Sequence, residues 1–263
     1  MKKLKLSLFF CISIFFVLII AGNAFCSEYE EFKKLAEQGD SESQCKLGLM
    51  YHLGIGITQN YNEAFKWYKL SADQGNAEAQ YNLGVMYDNG LGVPQDHGVA
   101  LKWFKLSADQ GHVEAQYSLG MMYDEGIRTT QDYKEAIKWY KLAADQGDAQ
   151  SQFNLALIYE NGRGVAQNYK EAIKWYKLSA DRGYAMAQYN LGGMYLNGQE
   201  VAQDHGEAFK WFKLAAEQGY AMAQTNLGAM YELGQGVPQD HGMALKWVKL
   251  AAEQGYAMAQ TNC

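Results

Sequence analysis

The sequence predicts an all-α fold, a right-handed α/α superhelical solenoid of six helical hairpins. Its six tryptophans lie 36 residues apart, and self-similarity at a fixed period of this size is the signature of repeat architectures. Only two prolines occur in 263 residues, which leaves long helices free to form. Because 48% of the residues are hydrophobic and 20% are charged, the chain has enough apolar side chains to bury a core. The tryptophans are Trp67, Trp103, Trp139, Trp175, Trp211 and Trp247.

Residues 1–26 differ from the rest of the chain and are predicted to be a secretory signal peptide. Three lysines precede an apolar run over residues 6–21, and small residues follow it, as in segments that are cleaved on export. The run has about 16 residues, fewer than the roughly 20 that span a bilayer. Cleavage is therefore favoured over an uncleaved membrane anchor, and we expect a periplasmic or secreted protein that contacts a membrane only if this segment is retained.

Without this segment the chain is strongly acidic and has few cysteines. Loss of the three lysines leaves 20 basic against 29 acidic residues, a net charge of −9. An acidic chain repels phosphate backbones, so no nucleic-acid partner is expected. Of the four cysteines, Cys11 and Cys26 lie in the predicted signal peptide. Cys45 and Cys263 would lie at opposite ends of the repeats, too far apart for a disulfide, and are predicted to be free thiols.

Within the 36-residue period, each unit is predicted to form a helical hairpin. In the unit 77–112, apolar residues recur at helical spacing in Leu83, Met86 and Tyr87 and again around Trp103. The first helix should end at a glycine that recurs in every unit, and the second should begin after an asparagine or aspartate N-cap. The glycines are Gly54, Gly90, Gly126, Gly162, Gly198 and Gly234, and the N-caps are Asn60, Asp96, Asp132, Asn168, Asp204 and Asp240.

Alignment of the units predicts the domain organisation. It consists of a signal peptide (1–26), an N-terminal half-repeat (27–40), six repeats (41–256) and an incomplete seventh repeat (257–263). The seventh repeat copies residues 221–226 and then stops at Cys263. Since a solenoid needs a terminal unit with a polar outer face, this predicts either a dimer through the C-terminal end or a reading frame cut short, and truncation is favoured.

The repeat pattern resembles a known family. It reads A-x-A-Q-x-x-L-G-x-M-Y, then G-x-G-V, then A-x-x-W-x-x-x-A-A-x-x-G, and is similar to the Sel1-like repeat, a longer relative of the tetratricopeptide repeat. Ala156 departs from the pattern at a helix glycine, Arg128 and Glu200 depart at a loop glycine, and Thr129 replaces a valine. The resemblance implies an adaptor that organises complexes or binds partner proteins, in bacteria often at the envelope or against a host.

The sequence predicts no enzyme, no cofactor and no metal site. Some relatives carry a cysteine pair in every repeat and are described as binding or hydrolysing β-lactam-type molecules, and those cysteines do not occur here. His97, His205 and His241 share one repeat position, where tyrosine stands in other units, which indicates packing at the helix start. If the units stack at helix-pair spacing, these histidines are too far apart to share a zinc ion. The glycine loops lack the Gly-Lys-Ser/Thr ending of a phosphate loop.

The predicted partner-binding surface is a polar stripe on the first helix of each unit. Positions 2, 6, 9 and 13 of the unit lie opposite the core side on a helical wheel. In tetratricopeptide-like hairpins this helix lines the concave face, and asparagine amides there could hold the backbone of an extended peptide. Alternatively, asparagine near a helix end only caps locally. The predicted binding residues are Asn82, Asn89, Asn154, Asn161, Asn190, Asn197, Asn226, Met186 and Met222.

The character of this stripe changes along the chain. Position 2 carries Glu42, Glu78 and Glu114 in the first three repeats and Met186 and Met222 in the last two. Methionine adapts to irregular partners. The predicted function is an exported protein-protein interaction scaffold that binds a protein or peptide on its concave face. The alternative is a small-molecule or cell-wall-fragment binder, or a hydrolase.

Overall fold

A computed structural model describes residues 29–255, and in this range the secondary structure is α-helical without strands. The predicted all-α fold of repeated hairpins is therefore confirmed. Helix α1 covers residues 29–37, and twelve helices of 13 residues follow it. They are α2 (Ser41–Leu53), α3 (Tyr61–Asp73), α4 (Ala77–Asn89), α5 (His97–Asp109), α6 (Val113–Glu125), α7 (Tyr133–Asp145), α8 (Ala149–Asn161), α9 (Tyr169–Asp181), α10 (Ala185–Asn197), α11 (His205–Glu217), α12 (Ala221–Leu233) and α13 (His241–Glu253).

Three predictions fall wholly or partly outside the described residues. These are the signal peptide, the start of the half-repeat and the incomplete seventh repeat with Cys263, and they remain predictions. Within residues 29–255, no helix has the length and apolar character needed to cross a membrane. Cys45 is buried and forms no disulfide, as predicted.

The helix ends follow the predicted cap chemistry. Gly90 ends α4 with φ 69°, and its backbone N–H donates to the Met86 carbonyl. A left-handed residue at this place satisfies a carbonyl that the helix itself leaves unpaired. Asp96 is the N-cap of α5 and accepts a hydrogen bond from the Val99 N–H at 2.9 Å. This bond satisfies one of the unpaired N–H donors at the helix N-terminus. These local interactions fix the hairpin length in each repeat.

The chain divides into two compact units, one ending at Gln116 and one beginning at Tyr117. In the first unit, Tyr68, Leu83 and Met86 are fully buried in one apolar cluster. In the second unit, the rings of Tyr176 and Phe212 are fully buried between first and second helices. A glycine on the first helix makes room for such a ring, since a Cβ on Gly192 would lie 2.9 Å from the Phe212 ring.

The tryptophans are more deeply buried in the second unit than in the first. Trp139, Trp175, Trp211 and Trp247 are 9% exposed or less, whereas Trp67 and Trp103 are half-buried. The Nζ atom of the preceding lysine lies over the ring in several repeats, for example 4.7 Å from the Trp139 centroid for Lys138. This cation–π contact covers the part of the ring that faces solvent.

A buried glutamine at position 4 of each first helix ties neighbouring repeats together. Its amide N–H donates to a backbone carbonyl near the end of the preceding second helix at 3.0–3.2 Å. In four of the repeats, the amide oxygen accepts from a second glutamine at position 34 of the same repeat, for example from Gln74 to Gln44 at 2.7 Å. In these four repeats the buried amide thus takes part in two packing contacts at once. The position-4 glutamines are Gln44, Gln80, Gln116, Gln152, Gln188 and Gln224.

Candidate functional site

The asparagines at position 6 are half-buried and lie beside polar groups of the core. The Asn190 amide donates to the Tyr176 hydroxyl at 3.1 Å, and this hydroxyl donates to a Glu160 carboxylate oxygen at 2.5 Å. Burial is the main cause of the raised pKa of Tyr176, and Glu160 adds to it. The phenol therefore stays protonated and holds the Asn190 amide in a fixed orientation.

The equivalent asparagines in other repeats are also half-buried, but their partners differ. Asn154 is hydrogen-bonded to Tyr140. Burial is the main cause of the raised pKa of Tyr140, and the hydrogen bond from Asn154 offsets this effect in part. Asn82 differs, because the hydroxyl of Tyr68, the residue equivalent to Tyr140, has no hydrogen-bond partner within residues 29–255. Asn82 is instead hydrogen-bonded to the Cys45 thiol, whose pKa burial raises to about 12. Asn226 is half-buried at the corresponding place. Position 6 thus has a structural role in the repeat contacts, and the amides still reach the surface.

The asparagines at position 13 are exposed and make local hydrogen bonds. The side-chain amide of Asn89 donates to the Val85 carbonyl at 2.9 Å, and Asn161 donates to the Leu157 carbonyl at 2.8 Å. Asn197 is exposed at the same helix end. These bonds agree with the alternative interpretation, in which asparagine near a helix end only caps the helix locally. It engages one N–H of each amide and is compatible with a partner bound to the amide oxygen.

The methionines at position 2 differ in exposure. Met186 is 37% exposed, while Met222 is half-buried and its sulfur accepts from the Tyr220 hydroxyl at 3.5 Å. Tyr220 also packs on Tyr189, with ring centroids 5.3 Å apart. The tyrosines that precede these helices therefore pack within the repeats, and Met186 is the more exposed apolar side chain of the stripe.

In the first unit the stripe is acidic. Glu78, Glu114, Tyr81 and His112 line a cavity of about 380 Å³. The imidazole of His112 stacks on Tyr81 with ring centroids 5.0 Å apart, and burial lowers the pKa of His112 despite the two carboxylates. A neutral imidazole, a phenol ring and two carboxylates give this cavity a negative charge.

The histidines at position 21 have acidic partners that the sequence alone did not predict. Nδ1 of His97 lies 2.9 Å from the Asp88 carboxylate, and Nδ1 of His241 lies 2.9 Å from Glu232. A hydrogen bond to Glu232 raises the pKa of His241. The signal was present, because an acid recurs nine residues earlier in those two units. In residues 29–255, no group of three or more His, Cys, Asp or Glu side chains is placed to hold a metal ion.

Comparison with known proteins places the chain in a family. The model of the Sel1 repeat matches residues 41–76, 77–112, 113–148, 149–184, 185–220 and 221–256. Proteins built from this repeat generally act as scaffolds for protein interactions, and the fold is typically non-enzymatic. A comparison with curated proteins finds no match.

Two solved structures are similar to this chain over most of its length. One is c5321, a protective antigen present in uropathogenic Escherichia coli strains, which is 37% identical over 88% of this chain with a TM-score of 0.85. The chain spans 50% of the length of that antigen. The other is a Sel1 repeat protein from Oxalobacter formigenes, 33% identical over 81% of this chain and 86% of its own, with a TM-score of 0.71. The six matched repeats and these similarities show that the chain belongs to the Sel1 repeat family.

Proposed function

We propose that the protein is an exported, non-enzymatic scaffold that binds a protein or an extended peptide along the stripe on its first helices. We place this stripe on the concave face of the solenoid, as in tetratricopeptide-like hairpins. Membership of a family that generally acts through protein interactions supports the scaffold part of the proposal. The basic and apolar start of the sequence supports export.

The observation that carries the site is the repeated exposure of amide groups on successive first helices. Asn154 on α8 and Asn190 on α10 are half-buried, while the neighbouring Leu155 and Leu191 are at most 1% exposed. An asparagine amide offers both donors and an acceptor. It can therefore bind the backbone of a peptide without regard to the peptide's side chains.

The charge of the stripe supports a particular kind of partner. The first unit presents the carboxylates of Glu78 and Glu114 beside Tyr81, and the second unit presents Met186. Complementary charge favours basic side chains opposite the carboxylates, and a methionine accepts apolar side chains of irregular shape. We infer that the stripe of the first unit suits a basic partner segment and that the stripe of the second unit suits an apolar one.

Site-specific photo-crosslinking tests this proposal. The chain is collected from outside the cytoplasm, where intact mass should show loss of about two dozen N-terminal residues. A photo-reactive residue at Asn197 should capture the partner, and the matched control at Lys213, exposed on the second helix of the same repeat, should not. Equal capture at both positions would contradict the site, and recovery of only membrane-held, full-length chain would contradict export.

The captured partner then allows a binding measurement. Replacing Asn154, Asn161 and Asn197 together with alanine should weaken binding about tenfold or more, since each lost hydrogen bond contributes roughly 0.5–1.5 kcal/mol. Asn161 and Asn197 are exposed, where substitutions usually shift stability by about 0.5 kcal/mol or less. Loss of the hydrogen bond of half-buried Asn154 should cost about 0.5–1.5 kcal/mol, so the variant should remain folded. Replacing Lys177 and Lys213 serves as the control on the second helices. Unchanged affinity in the asparagine variant, or binding of cell-wall fragments at the same residues, would refute the proposal.

A further inference from the structure

The fourth repeat breaks the pattern of paired glutamines. In four other repeats, the position-34 glutamine donates to Oε1 of the position-4 glutamine at 2.7–2.9 Å. In the fourth repeat position 34 is Arg182, opposite Gln152. Gln152 is 2% exposed, and in the part of the chain that the structure describes, its buried Oε1 accepts no hydrogen bond.

The orientation of the Gln152 amide is fixed by its other partner. Its Nε2 donates to the Ala144 carbonyl at 3.0 Å. Because a carbonyl oxygen can only accept, the NH₂ group must face Ala144 and Oε1 must face away from it. Rotation of the amide therefore cannot satisfy the oxygen. A buried acceptor without a donor is costly, by about 1–3 kcal/mol in typical cases, so a donor supplied from outside the chain would be favoured.

Gln152 lines a groove of about 350 Å³ between the second helices α7 and α9. Trp175 and Leu178 form an apolar wall of this groove, and Arg182 lies at its edge. The groove contains three cations, Lys141, Lys174 and Arg182, and two acids, Asp145 and Glu171, a formal charge of +1. Lys174 pairs with Glu171 at 3.4 Å. The groove therefore combines a cationic edge, an aromatic wall and an unpaired acceptor.

The next repeat contains the same groove without these properties. Trp211 and Leu214 form the corresponding wall, with Gln188 at the corresponding place. Here Gln218 donates to Oε1 of Gln188 at 2.8 Å. The cation of this groove is Lys210, opposed by Asp181 and Glu217, a formal charge of −1. The two grooves have equivalent tryptophan and leucine walls, and they differ in volume, about 350 Å³ against about 560 Å³, in charge and in the pairing of the buried acceptor.

We propose that the groove between α7 and α9 binds an acidic residue of a peptide segment. The carboxylate accepts hydrogen bonds from Arg182 and Lys141, and a backbone N–H of the segment donates to Oε1 of Gln152. The methylene groups of the acidic side chain pack on Leu178, which is 39% exposed beside Trp175. Arg182 is exposed and its guanidinium lies over Gly147, so a change of its rotamer opens the way to the buried oxygen. Arginine suits this role because its planar fork binds carboxylates in two-point fashion.

This site goes beyond the proposed function. It lies on second helices and uses none of the asparagines or methionines of the first-helix stripe. The proposal for this groove does not depend on whether the stripe binds a partner. The tests of the two sites can therefore fail or succeed separately.

A titration with small probes tests the site. The probe is N-acetyl-glutamate N-methylamide, which carries the carboxylate and two amide N–H groups, and the control probe is the glutamine counterpart. Binding is followed by the indole N–H signal of Trp175 in NMR spectra, with Trp211 as the internal reference. The acidic probe should shift Trp175 and leave Trp211 in place, and the neutral probe should bind about tenfold more weakly, as loss of one charge-assisted contact predicts.

Three variants separate the parts of the site. Arg182→Gln restores the glutamine pair and should abolish the response of Trp175 to the acidic probe. Gln152→Ala keeps the cations and should weaken binding through loss of the acceptor. Gln218→Arg copies the fourth repeat into the fifth and should create a response at Trp211. Circular dichroism should first show that each variant keeps its helices. The proposal would then be overturned by a Trp175 response that survives Arg182→Gln, by an equal response to both probes, or by no response in the parent protein.

Discussion

At the scale of single residues, the carboxylates near the ends of the first helices have partners that depend on the repeat. The Asp124 side chain is 9% exposed and accepts from the Arg163 guanidinium at 3.0 Å, an ion pair between consecutive repeats. Burial raises the pKa of Asp124, and Arg163 offsets this effect only in part. Glu160, at the same position one repeat later, instead accepts from the Tyr176 hydroxyl.

Replacing Arg163 with alanine should destabilise the protein in a pH-dependent way. At neutral pH we expect a loss of about 1–3 kcal/mol, because Asp124 stays buried without its cation. A raised folded pKa means that the buried carboxylate reduces stability above that pKa, and the penalty vanishes as the pH falls towards the ordinary value of 3.8. Without Arg163 the folded pKa rises further, so the difference between variant and parent should shrink on acidification.

Urea unfolding of both proteins at pH 7 and near pH 4 measures this difference. Lys134→Ala, at an exposed position in the same unit, is the control and should change stability by about 0.5 kcal/mol or less at either pH. An equal loss for Arg163→Ala at both pH values would show that packing of the arginine stem, and not its charge, stabilises the repeat.

At the scale of elements, the turn between the two helices of a hairpin requires a left-handed backbone at two places. The second place is occupied by glycine in four repeats, but by Arg128 with φ 67° and Glu200 with φ 59° in the other two. Residues with a Cβ adopt this region at a cost of about 1–2 kcal/mol. Gly236 shows why glycine fits, since a Cβ there would lie 2.1 Å from the His205 carbonyl oxygen.

Exchanges at this turn position should therefore have opposite effects. Glu200→Gly should raise the free energy of unfolding by about 0.5–1 kcal/mol, the relief of backbone strain less the greater freedom of glycine in the unfolded chain. Gly236→Ala should lower it by about 2–3 kcal/mol through strain and overpacking. Thermal and urea unfolding measure both. Destabilisation by Glu200→Gly would mean that the glutamate side chain makes a stabilising contact larger than the strain.

At the scale of the whole molecule, the features that could be predicted from the sequence are those that local chemistry determines. Gly90 and Asp96 mark helix ends because their cap interactions involve residues a few positions away. The sequence could not predict that Asn89 bonds locally within its helix while Asn190 contacts Tyr176 of the preceding repeat. Both are asparagines on one helix face, and their partners depend on how one repeat packs on the next.

The unpaired oxygen of Gln152 is a second feature that could not be predicted from the sequence. The exchange to Arg182 is visible in the sequence, but its consequence requires knowledge of which two side chains meet. In a repeat protein each unit contacts only its neighbours, so a single exchange changes one groove and leaves the equivalent groove around Gln188 intact. Regular architecture therefore allows one repeat to acquire a property that the others lack.

Nearest-neighbour packing also predicts how the molecule responds to a core cavity. Trp139→Ala removes a ring that is 2% exposed and should cost about 3–5 kcal/mol. Because stability in repeat arrays is roughly a sum of local contributions, amide hydrogen exchange should accelerate most in α7 and α8. Helix α13 lies three repeats after Trp139 and should keep more of its protection. Exchange measured by mass spectrometry on parent and variant decides this. A uniform loss of protection from α7 to α13 would instead show that the second unit unfolds as one cooperative body.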